Sequence, residues 1–182
     1  TPDTTVYYQY AVGLGYLAVG IFVYVRRGSA HKARHFFILC LASFVLSTFH
    51  YTGKLNSFDK VIYWGNITAG LLAPTIFLHF TLSFPEPRRW VRGFFRSAAL
   101  YVPACLILAV YFGLASGTLR VTAISLLELR WMMDRVWLSF LALAYLSGAA
   151  VVTLAYRREE DLVVRQQLKW LRNGAVYGIL PF

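Results

Sequence analysis

The chain has 182 residues, of which 58% are hydrophobic and 17% aromatic, with a mean hydropathy of +0.56; this excludes an ordinary soluble domain, where about half of the residues are apolar. Only 14% of residues are charged, yet the net charge is +10 and the isoelectric point about 9.9. The basic residues lie in short connectors between apolar runs, as topology signals and contacts to anionic headgroups do, and not on a nucleic-acid surface.

An apolar run of roughly 20 residues spans a hydrocarbon core as a helix, and the sequence predicts an all-α polytopic transmembrane bundle of five full helices and the start of a sixth. The first helix is placed at 6–25, between the polar start and Arg26-Arg27, with Tyr7, Tyr8 and Tyr10 at one interface and Tyr24 at the other. Gly13 and Gly20 share one face of it, where small residues let another helix approach closely. A basic connector with Arg26, Arg27, Lys32 and Arg34 leads to the second helix, 35–52. There Cys40, Ser43, Ser47 and His50 follow three- and four-residue steps and share a face. The third helix, 61–84, is the one around which the others are expected to assemble. It carries a second polar stripe through Thr68, Leu72, Thr75, His79 and Ser83, and Pro74 at mid-run, which is expected to kink it by removing the hydrogen bond to the Gly70 carbonyl. Pro85 and Pro87 end it. The two stripes are expected to face each other or a shared cavity, since polar groups turned to lipid would lack partners.

A basic interfacial segment holding Arg88, Arg89, Trp90, Arg92 and Arg96 leads to the fourth helix, 98–115. The connector 116–135 mixes Leu126, Leu127 and Trp131 with charges and is expected to form a short helix over the bundle mouth. The fifth helix, 136–156, is rich in small residues, and 157–172 is a charged amphipathic segment. The sixth run, 173–182, is only half a bilayer long, so the chain is expected to be a piece of a longer protein. Of the eighteen Lys and Arg, thirteen fall in the connectors after helices one, three and five. That bias puts the N-terminus outside and 157–172 in the cytoplasm.

His50 and His79 invite a metal or haem reading, but His50 is expected near the outer side of the membrane and His79 near the inner side, and hydrogen bonding between helices is the simpler role for each. Ligand-binding or gating candidates are therefore Ser43, Ser47, His50, Thr68, Pro74, Thr75 and His79. No nucleophile triad, paired carboxylates, phosphate loop or HExxH lies in the apolar runs, so no catalytic residue, metal or cofactor is assigned and no enzyme chemistry is expected within these residues. A transporter or channel-like subunit is the alternative, although no acidic residue at membrane depth is present to couple an ion.

The segments Phe77-Leu-His79-Phe-Thr-Leu-Ser-Phe84-Pro-Glu86 and Val164-Arg165-Gln-Gln-Leu-Lys169-Trp170-Leu-Arg-Asn-Gly174 resemble signatures of multi-helix membrane sensor modules. Such modules form the N-terminal part of bacterial sensor histidine kinases, pheromone-receptor kinases among them, and of related phosphatase receptors. The resemblance implies a sensory input module in the bacterial cytoplasmic membrane, in a two-component or related system. It further implies a kinase or phosphatase output domain in the same full-length chain, and none of the family's catalytic motifs falls within this sequence. Arg165, Lys169, Trp170 and Arg172 are the signal-relay candidates, with the basic side chains on one helix and the indole as an interfacial anchor. The expected partners are membrane lipids, the cytoplasmic signalling domain and a second copy in a homodimer, with no nucleic acid.

Overall fold

A computed structural model of the protein describes residues 4–28, 31–54, 56–84, 93–122 and 124–179. Among these residues the chain is all-α, with seven helices: α1 (Thr4–Arg27), α2 (His31–Thr48), α3 (Ser57–Ser83), α4 (Phe94–Ala99), α5 (Val102–Ala115), α6 (Leu126–Arg158) and α7 (Leu162–Ile179). Three of them, α1, α3 and α6, are long and apolar enough to cross a membrane.

Beyond small extensions of α1 and an α3 that starts at Ser57 rather than 61, the boundaries differ from the sequence expectation in four places, each with a local cause. The second helix runs over 31–48, not 35–52, and is followed by extended residues and Gly53 at φ +79°, a left-handed conformation that glycine adopts without strain. The fourth run is broken in two. Pro103 sits in the first turn of α5, where its missing N–H costs nothing, and its ring is incompatible with helical continuation from residue 99. No short separate helix precedes the fifth run: α6 begins ten residues earlier than expected and is 33 residues long. Its start is a capping box, with Ser125 Oγ accepting from the Glu128 N–H and the Glu128 carboxylate accepting from the Ser125 N–H. The charged segment from Leu162 onward and the start of the sixth run are one helix, α7, whose first turn is held by Asp161 Oδ1 accepting from the Val163 N–H at 2.8 Å.

The chain divides into two compact units, Thr1–Ile76 and Phe77–Phe182, and the boundary falls inside α3. In the first unit α1 and α2 pack through the glycine face read from the sequence. A Cβ placed on Gly13 would overlap Thr48 Oγ1 and lie 3.2 Å from Ser47 Cβ, and one placed on Gly20 would lie 2.7 Å from Cys40 Cβ. Most of the rest of α1, including Tyr7, Tyr8, Phe22 and Val25, is exposed. Asn56 Oδ1 accepts from the Asp59 N–H and caps α3; Asp59 Oδ1 in turn accepts from both the N–H and the hydroxyl of Thr52. Asn66 Nδ2 donates to the Phe49 carbonyl, so both ends of the α2–α3 connector are tied to α3.

In the second unit the last two turns of α3 lie against α6. Ala144, Gly148 and Val152 form a buried stripe at four-residue spacing. A Cβ on Gly148 would come within 2.5 Å of the Phe77 ring, and Phe77 also meets Tyr145 with ring centroids 5.3 Å apart. Tyr111 of α5 packs edge-on against Trp137 of α6. The C-terminus of α5 closes through Gly117 at φ +73°, with the Gly113 carbonyl accepting from the Leu119 N–H and the Thr118 hydroxyl.

Candidate functional site

Within the first unit α2 and α3 enclose an open groove of about 620 Å³. Ile38, Leu41, Ala42 and Val45 line it from α2 at the spacing of one helix face, and α3 supplies Trp64, Gly65, Thr68, Ala69, Leu72 and Ile76. The lining is almost wholly apolar. Its only charge is Lys60, in the first turn of α3, so the groove has one cationic end and a long hydrocarbon-like body. Asp59, the acid beside that lysine in sequence, is buried and turned to Thr52.

The sequence-derived candidates distribute unevenly around this groove. Thr68 and Leu72 line it. The opposite stripe does not: Cys40 and Ser47 face α1, because small side chains on α2 allow the close approach that Gly13 and Gly20 offer from α1. Ser43, half-buried, donates its hydroxyl to the Leu39 carbonyl. His50 lies beyond the end of α2, is exposed, and sets its ring against Tyr10 with centroids 6.3 Å apart. Pro74 is fully buried and α3 runs through it without interruption, while the Thr75 hydroxyl donates to the Leu71 carbonyl at 3.1 Å. The sequence alone does not mark Lys60, a lone charge just before an apolar run, or the apolar Ile38 to Val45 face, which carries no polar contrast for periodicity to detect.

In the second unit His79 is buried, and its Nδ1 shares a hydrogen bond of 3.0 Å with the Tyr101 hydroxyl, the rings meeting edge to face. The simpler role expected of an intramembrane histidine, a bond to another element, is the geometry found here. Tyr101 was not singled out by its sequence, as it lies at the junction between α4 and α5.

At the other end of the second unit, Tyr156 in the last turns of α6 is held by two arginines from α7. The guanidinium carbons of Arg165 and Arg172 stand 5.2 and 4.4 Å from its ring centroid. Being seven residues apart, they approach from positions two turns apart on one helix face. The Arg172 guanidinium also donates to Asn173 Oδ1 through Nε and Nη2, which fixes its plane. Leu168 between them is fully buried, whereas Lys169 and Trp170 are exposed. Of the four relay candidates the structure brings Arg165 and Arg172 together on one ring, while Lys169 and Trp170 are exposed on α7.

No family model, curated protein or solved structure matches the chain. The functional reading therefore rests on the two places just described: an apolar groove with one cationic end, and an arginine-clamped joint between the longest helix and a basic amphipathic one.

Proposed function

We propose that this chain is the membrane-embedded input module of a bacterial signal-transduction receptor. It sits in the cytoplasmic membrane with several passes and its N-terminus outside, and relays a hydrophobic or membrane-borne signal to a cytoplasmic kinase or phosphatase domain of the full-length chain. The observation that carries the reading is the joint at Tyr156. A long apolar helix, α6, ends in a ring gripped from two turns of α7, the helix that would lead toward an output domain. Cation–π contacts are worth about 0.5–1 kcal/mol each when exposed and more when desolvated. Two of them on one half-buried ring make α6 and α7 move together. The three apolar helices of spanning length support membrane residence, and the bias of basic residues supports the orientation.

The test is made on the full-length receptor with Tyr156→Ala and Tyr156→Phe. The first removes the ring that both arginines grip and should shift basal output by about fivefold or more, the equivalent of losing two weak cation–π contacts. The second keeps the ring and should leave output near wild type. Equal output from wild type, Tyr156→Ala and Tyr156→Phe, at equal membrane insertion, would remove the relay reading.

A further inference from the structure

We infer that the α2–α3 groove binds a single long-chain amphiphile with an anionic head, a fatty-acid carboxylate, with the alkyl chain along the groove and the carboxylate on Lys60. The inference deepens the input-module reading, on which it rests, by naming the chemical class of the signal. Length argues for a long alkyl chain, because the lining of α3 runs from Lys60 to Ile76, about 24 Å at 1.5 Å per residue.

Charge fixes the polarity of the ligand. The groove carries one cation and no acid among its lining residues. The neighbouring carboxylate of Asp59 is committed to the Thr52 N–H and hydroxyl at 2.9 and 3.0 Å. Lys60 itself is exposed, so its ammonium meets an incoming head at the mouth while its methylene stem lies along apolar surface. Thr68, half-way along and half-buried, and the Trp64 indole are the other polar groups in the lining, which leaves the body of the groove suited to a saturated chain rather than to a peptide or a sugar.

The test uses the chain in nanodiscs of uncharged lipid and a photoreactive sixteen-carbon fatty acid as probe, with the labelled residues mapped by mass spectrometry. Labelling should be saturable, should fall on groove residues such as Ala42 and Leu72, and should be competed by palmitate better than by hexadecanol. Lys60→Gln should weaken palmitate competition by about fivefold, the size of one exposed charge pair, and Lys60→Arg should restore it. Ala42→Trp, which fills the groove, should abolish labelling there. Equal competition by palmitate and hexadecanol would overturn the carboxylate. Displacement by a two-chain anionic phospholipid at lower concentration than palmitate would overturn the single chain, and crosslinks between copies through a cysteine at Leu41 would assign the groove to a homodimer instead. Labelling unchanged in Ala42→Trp would remove the groove as the site. None of these failures touches the Tyr156 result, which reads relay and not binding.

Discussion

Gly13 and Gly15 are two residues apart on α1 and have opposite surroundings. A side chain on Gly13 runs into Thr48 and Ser47, whereas nothing lies within 4 Å of a Cβ on Gly15. Gly13→Leu should therefore lower the stability of the detergent-solubilised chain by about 1–3 kcal/mol, the usual range for overpacking. Gly15→Leu should leave the melting temperature within error or raise it, since glycine is a poor helix former. Equal melting temperatures for the two variants would show that α1 and α2 do not depend on close approach. This contact was legible in the sequence because Gly13 and Gly20 repeat at seven residues and so mark one face. Lys60 was not legible. A lone lysine near a helix start reads as a solvated charge, and only the placement of Ile38 to Val45 beside it turns it into the end of a groove.

At the scale of elements, the apolar runs located the helices and missed their ends wherever charge was taken as a break. Arg130, Asp134 and Arg135 sit on exposed faces inside α6, and the Ser125–Glu128 capping box was the signal that the helix starts there. Likewise 157–172 and 173–179 looked like two segments because their compositions differ, while no proline or tight turn separates them inside α7. Pro74 is the element-scale feature with a functional expectation. α3 passes through it unbroken, but the Gly70 carbonyl has lost its ladder donor and the Thr75 hydroxyl shares the next carbonyl, Leu71, a combination that loosens the helix locally. In the proposed receptor a ligand would bias a pivot there only by binding one of its angles better than the other. Pro74→Ala restores the missing hydrogen bond and should hold the full-length receptor in one output state with normal insertion. A response of unchanged amplitude and midpoint would reduce Pro74 to a packing residue.

For the whole molecule, the expectation that orients everything else is the unequal distribution of Lys and Arg. It assigns the α2–α3 connector to the outside and the α6–α7 connector to the cytoplasm. Single cysteines at Ser57 and Glu160, both exposed, test this in intact cells with an impermeant thiol reagent: Ser57→Cys should label and Glu160→Cys should stay silent. The reverse pattern would invert the topology and place the mouth of the groove at Lys60 in the cytoplasm. Ser29 and Arg92, which the same bias assigns to the inner side, lie outside the described residues.

The length of α6 has a mechanical meaning of its own. Its 33 residues make a rod of about 50 Å. Turning such a rod by about 5° around its first turn sweeps its far end through about 4 Å, by the same 1.5 Å rise per residue. Tyr156 rides near that end with Arg172 at 4.4 Å; in the proposed relay a tilt too small to disturb packing near the pivot would carry α7 sideways by the width of an atomic contact, and α6 would serve as a lever arm whose extra turns set the gain.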